Sequence, residues 1–130
     1  MQGNRDSIKT AGIIIIGNEI LSGKVHDINY FFLTSELRAL GVDVKRISVI
    51  PDDIDTIGRD AVEFSERYDY VFTTGGVGPT HDDVTIAGIA KGFGVKIVMH
   101  PEIKKILSLR YSGPFNNAIM KMTEVPEGAE

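Results

Sequence analysis

No cysteine occurs in the 130 residues. That excludes disulfides, thiolate-held metals and a cysteine nucleophile, and it fits a reducing, cytoplasmic setting. Long apolar runs are missing as well. The longest, Ala11 to Ile16, is far too short to span a bilayer, so no membrane partner is expected. Residues 1–9 are polar, lack a signal-peptide core, and read as a disordered leader. Positive charge is not in excess: 14 Lys and Arg stand against 18 Asp and Glu, a net charge of −4. Nucleic acid is therefore not an expected partner. What is present, 42% hydrophobic and 25% charged residues, is the composition of a soluble globular domain, and the length suits one core.

The apolar residues set the organisation. Ala11-Gly12-Ile13-Ile14-Ile15-Ile16 is a continuous run of the kind buried on both faces of a parallel sheet. A loop over Gly17 to His26 follows. Asp27 then caps a helix to Leu40, with Ile28, Phe31, Phe32, Leu37 and Leu40 expected to face inward and Gly41 to end it. Val42 to Ile50 reads as a second strand. Ile54, Ile57, Ala61 and Phe64 mark a second helix, and Asp69 to Thr74 a third strand. Val84, Ala87, Ala90 and Phe93 have helical spacing, Val95 to Met99 reads as a short fourth strand, and Pro101 opens a helix to about Arg110. Asn116 to Met122 has room for one or two helical turns, and no strand can be placed over Thr123 to Glu130. The alternation predicts an α/β fold, a three-layer α/β/α sandwich with a mainly parallel sheet.

The stretch Thr73-Thr74-Gly75-Gly76-Val77-Gly78-Pro79-Thr80-His81-Asp82-Asp83-Val84-Thr85 joins the third strand to a helix. Glycines there permit positive φ and let a ligand approach the backbone. Successive N–H groups in such a turn, with a helix start behind them, form an anion-binding nest. The loop is not a Walker A motif, because no Gly-Lys-Ser/Thr ending follows and no lysine lies between Lys45 and Lys91. The third glycine of the dinucleotide fingerprint is missing too.

In doubly wound sheets, ligands lie beyond the carboxyl ends of the strands. Glu19, Asp27, Asp52, Asp53, Asp82 and Asp83, six of the 18 acids, fall there, with Lys24 the chief cation. A phosphate enters such a rim with a divalent cation to bridge it to carboxylates. Several of these residues have plainer uses. Asp27 suits a helix cap, one of Asp52 and Asp53 caps the next helix, and Asp83 suits a cap for the helix after the glycine loop. His26 and His81 share the rim, but their spacing is not that of a metal site. His100 suits an N-cap or surface position. The phenylalanines at 31, 32, 64 and 93 read as core by spacing.

Thr74 to Thr85 resembles the signature of the molybdopterin-binding domain superfamily of the MoaB/Mog type. Gly17-Asn18-Glu19-Ile20-Leu21-Ser22-Gly23 followed by Asp27-Ile28-Asn29 resembles its branch formed by the N-terminal domains of CinA and of eukaryotic FAD synthases. The resemblance covers residues 10–130 and implies a three-layer α/β domain that assembles as a homo-oligomer. It implies catalytic roles for Asp52 and Asp83. Ligand contacts fall on Gly75, Gly76, Gly78, Pro79, Thr80, Glu19 and Asn29, and metal contacts on Asp52, Asp82 and Asp83. Branch members continue beyond the segment seen here as Pro126 to Glu130, so the domain is expected to lack its usual C-terminal part.

The implied function is metal-dependent hydrolysis of a nucleotide pyrophosphate of the ADP-ribose or FAD type, with magnesium or cobalt as the cofactor. The expected ligand is a diphosphate nucleotide or a molybdopterin-type small molecule. Two alternatives stand beside hydrolysis: a molybdopterin adenylyltransferase or carrier of molybdenum-cofactor biosynthesis, and a nucleotide-binding module without turnover.

Overall fold

A computed structural model describes residues 7–130. Its strands are β1 (Thr10–Ile16), β2 (Asp43–Ile50), β3 (Tyr70–Thr74), β4 (Ile97–Met99) and β5 (Glu124–Pro126). The helices are α1 (Asn18–Leu21), α2 (Asn29–Ala39), α3 (Ile54–Arg67), α4 (Thr85–Phe93), α5 (Pro101–Arg110) and α6 (Asn117–Lys121). β1 lies between β2 and β3 and is parallel to both. Side chains alternate across a strand. Ile14 and Ile16 therefore join Ile57, Ala61 and Phe64 on one face, while Ile13 and Ile15 meet Leu37 and Leu33 on the other. Both faces of β1 are covered, which explains a run of isoleucines with no polar residue between them. Burying each such side chain contributes about 2 kcal/mol.

The layers are close because small residues let them approach. At Gly12 a Cβ would stand 2.5 Å from the Phe64 ring. α3 and α4 meet along Gly58, Gly88 and Gly92. A Cβ on Gly92 would lie 2.5 Å from the Gly58 carbonyl oxygen, and one on Gly58 would lie 2.7 Å from that of Gly88. Asp53 starts α3 as its N-cap and accepts from the Thr56 N–H at 2.9 Å and hydroxyl at 2.7 Å. Those hydrogen bonds, the hydroxyl's first, hold the Asp53 carboxyl below its ordinary pKa.

The three-layer α/β arrangement with a parallel sheet is as expected, but four particulars differ. β4 is not part of the parallel sheet: it pairs antiparallel with β5, where no strand was expected. Three residues including a proline are too short a signal for period-two patterning. Within the expected loop after β1, residues 18–21 form the short helix α1. On α2 only Leu37 of the expected inward face is buried. Ile28, Phe31, Phe32 and Leu40 are exposed, as is half of Phe93 on α4. The three-stranded sheet is narrow, so these apolar side chains have no opposing layer among the described residues. Finally, Val84 rather than Asp83 is the N-cap of α4, with no side-chain cap bond.

Of the leader expected over residues 1–9, residues 1–6 lie outside the described residues. The Lys9 carbonyl accepts from the Asp43 N–H at 2.8 Å, and its ammonium stands 3.6 Å from Asp69. No helix among the described residues is long and apolar enough to cross a membrane.

Candidate functional site

The carboxyl ends of β1, β2 and β3 converge on the glycine loop. Gly75 and Gly76 have φ of 89° and 68°, values that an L side chain resists. A Cβ on Gly75 would run into the Ile16 carbonyl at the end of β1, and one on Gly76 into the Thr85 hydroxyl. Buried Thr85 fixes this turn from behind. Its hydroxyl donates to the Gly75 carbonyl at 2.8 Å and its N–H to the Gly76 carbonyl at 3.1 Å.

Asp83 closes the other half of the loop. Its Oδ2 accepts from the Thr80 N–H at 3.0 Å and the Thr80 hydroxyl at 2.7 Å. The same oxygen would stand 2.8 Å from a Cβ on Gly78, so the loop has room for this carboxylate only because residue 78 is glycine. The Thr80 hydroxyl is the leading cause of an Asp83 pKa below the ordinary carboxylate value, with the Thr80 and Gly78 N–H groups and the Lys121 charge adding to it. Asp83 thus shapes the glycine loop, and the cap expected at this residue is replaced by that role.

Two pockets flank the loop. One, about 420 Å³, is lined by Asn18, Glu19, Ser22, Lys24, Asp52 and Asp82. Here Asp52 and Asn18 hold each other: the Asn18 N–H donates to Asp52 Oδ2 and the Asp52 N–H to Asn18 Oδ1, both at 3.1 Å. This exchange ties the carboxyl end of β2 to that of β1 and leaves Asp53 free to cap α3. The other pocket, about 200 Å³, lies between the loop and the β4–β5 arm. Gly76, Gly78 and Asp83 form one side and Ile86, Ile103, Lys121 and Met122 are among the rest.

The expected residues are therefore distributed. Asp52, Asp82 and Glu19 share the acidic pocket, whereas Asp83, Gly76 and Gly78 line the second. Gly75 builds the loop through its backbone, and Thr80 through its N–H and hydroxyl. Pro79 lies within it, and Asn29 begins α2 and lines neither pocket. The three carboxylates assigned to a metal do not converge, and no group of three ligating side chains able to hold a cation occurs among the described residues. His81 is exposed, with Nε2 3.3 Å from Asp82. His26 lines a separate hollow with Asp27 and Tyr30, and the Tyr30 N–H reaches Asp27 Oδ1 at 3.3 Å as a partial cap of α2. His100 occupies the N-cap position of α5. Lys121 and Thr85 were not singled out by the sequence. Lys121 is 41 residues from its loop partner Thr80, and only the fold joins them.

The family model described as "Probable molybdopterin binding domain" matches residues 12–126. The chain is 48% identical over 100 residues to a "Probable FAD synthase" of Caenorhabditis elegans, covering 77% of this chain and 19% of that protein. It is 34% identical over 123 residues to a "CinA-like protein" of Desulfosudis oleivorans, covering 92% of this chain and 30% of the other. The crystal structure of the protein CinA from Thermoplasma acidophilum superimposes with a TM-score of 0.86 at 33% identity, over 92% of this chain and 71% of that one. The chain belongs to the molybdopterin-binding domain family of the MoaB/Mog type, on its CinA-like branch. It spans between 19% and 51% of the length of the first curated relatives it matches.

Proposed function

We propose that this domain binds the diphosphate of a nucleotide across the glycine loop and hydrolyses its pyrophosphate linkage. The observation that carries the reading is the loop itself. Gly75 and Gly76 are held at positive φ by Thr85, and Asp82 of the same loop lines the acidic pocket with Asp52 and Glu19. Backbone N–H groups of such a turn favour phosphate oxygens. Asp52, with one oxygen engaged by Asn18, has the second available to orient a water and take its proton. The water oxygen bonds to one phosphorus as the bridging P–O bond breaks. From ADP-ribose the products are AMP and ribose 5-phosphate.

The split of the carboxylates bears on the cation. A magnesium ion needs only one or two carboxylates when phosphate oxygens and waters complete its shell. In this proposal the cation arrives with the diphosphate, and Asp52 and Asp82 meet it. A molybdopterin-type ligand is the second reading, supported by the family description. The exposed apolar residues at the start of α2, Ile28 at its N-cap and Phe31 and Phe32 within it, support a homo-oligomer.

The test is calorimetric titration of ADP-ribose, FAD and a molybdopterin precursor with magnesium present, followed by chromatography of the products. Saturable binding of ADP-ribose with release of AMP is expected. Binding without product would leave a binding module, and preference for the pterin would move the site to molybdenum-cofactor chemistry.

A further inference from the structure

The glycine loop carries no cation of its own: between Arg67 and Lys91 the sequence holds neither lysine nor arginine. The fold supplies one from elsewhere. Lys121, the last residue of α6, donates its ammonium to the Thr80 carbonyl, which also accepts from the Asp83 N–H at 3.2 Å. Among the residues lining the pocket over Gly76 and Gly78, Lys121 is the one lysine or arginine.

Its surroundings differ from those of the other paired cations. Lys9, Lys45, Arg46, Arg67 and Lys91 each lie within 4.0 Å of a carboxylate oxygen. Lys121 makes no such close ion pair among the described residues: its ammonium rests on the Thr80 carbonyl, and its charge acts at longer range on Asp83 in the same pocket. An ammonium has three donors, and one carbonyl uses one of them. The scaffold behind it is fixed. Asn116 caps α6 by accepting from the Ile119 N–H at 2.9 Å. Fully buried Thr123 donates to the Met120 carbonyl at 2.6 Å and accepts from the His100 N–H at 2.8 Å.

We propose that Lys121 is a ligand-binding residue of this site: its ammonium, parked on the loop carbonyl, engages a phosphate group laid over Gly76 to Gly78. The inference rests on the diphosphate reading above and adds the residue that neutralises the anion. It also gives α6, in the connection between β4 and β5, a role, since it carries the cation to a loop that lacks one. A lysine serves phosphate as a point charge and does not need the planar fork of arginine, so either side chain can act here.

The experiment titrates ADP-ribose and, separately, inorganic pyrophosphate into the wild type, Lys121→Met and Lys121→Arg, at low and at physiological salt. Melting curves and hydrogen exchange at the Asp83 amide are recorded beside each titration. Lys121→Met is expected to weaken pyrophosphate by about tenfold or more and to flatten the salt dependence, while Lys121→Arg restores most of the affinity. Melting temperatures should stay close to the wild type. If Lys121→Met binds pyrophosphate as tightly as the wild type, or if affinity falls only in step with faster Asp83 exchange and is not rescued by arginine, Lys121 is a latch on the loop and the proposal is overturned while the diphosphate reading stands. A wild type that binds neither probe overturns both.

Discussion

At the scale of single residues, the glycine loop is set by a few atoms that can be changed one at a time. Gly76→Val places a branched side chain at φ 68° and against the Thr85 hydroxyl. We expect a folded chain by circular dichroism, destabilised by about 1–3 kcal/mol in urea, with no measurable ADP-ribose binding. Asp83 allows a finer dissection. Asparagine keeps an acceptor for Thr80 but loses the charge, so Asp83→Asn should loosen residues 78–83 in hydrogen exchange only as far as the protonated wild type does, whereas Asp83→Ala frees Thr80 and should loosen them further. The pH dependence has a definite sign. The folded Asp83 pKa lies below its ordinary value, so the stabilisation is present above that value and is lost as pH falls through the lowered one. Loop protection should therefore fade in wild type below about pH 4 and change little with pH in Asp83→Asn. The glycines and acids of this loop were legible in sequence because their spacing is local. What Asp83 does with its carboxylate was not, because a cap and a loop staple use the same residue type at the same place.

At the scale of elements, the seam between α3 and α4 carries much of the packing on one face of the sheet. Gly92→Val would drive two methyl groups toward the Gly58 backbone. A loss of about 1–3 kcal/mol in chemical denaturation is expected, with the helices pushed apart. Gly113, around which a Cβ would meet nothing within 4 Å, is the matched control for side-chain volume, apart from the cost of its own positive φ. The strands of the main sheet were readable from their apolar runs, and α3 and α5 from their spacing and starts. The inward face of α2 was misread, because spacing reports where apolar residues lie on a helix and not whether a second layer exists to cover them. β5 escaped notice because its partner, β4, is 25 residues away and the pairing is visible only once the arm is folded.

For the whole molecule, one loop contributes to both pockets, Asp82 to the acidic one and Gly76, Gly78 and Asp83 to the one that holds Lys121. A diphosphate bound as proposed would meet carboxylates at one end and an ammonium at the other. Removing the divalent cation should therefore weaken binding without abolishing it. We expect ADP-ribose affinity in EDTA to fall by about tenfold or more, measured by calorimetry against the same protein in magnesium. Unchanged affinity in EDTA would exclude a bridging cation. The distribution of carboxylates into two pockets was not legible in sequence, where all six acids map to one rim; β-strand ends give proximity, and only side-chain hydrogen bonds decide which acids remain available.

The central position of β1 has a consequence for how the chain comes to be folded. β1 precedes both of its sheet partners in the chain, yet β3 begins 59 residues after Ala11, and Thr10 waits for Asp69 to receive its hydrogen bonds. Until then the isoleucines of β1 have at most β2 beside them, and an open, apolar strand edge is exposed to other chains. Pairings of such long separation form slowly and leave edges unprotected in the interval. A ribosome stalled before residue 70 should therefore carry an aggregation-prone nascent chain, and release past β3 should end that hazard abruptly, in one cooperative closure of the sheet.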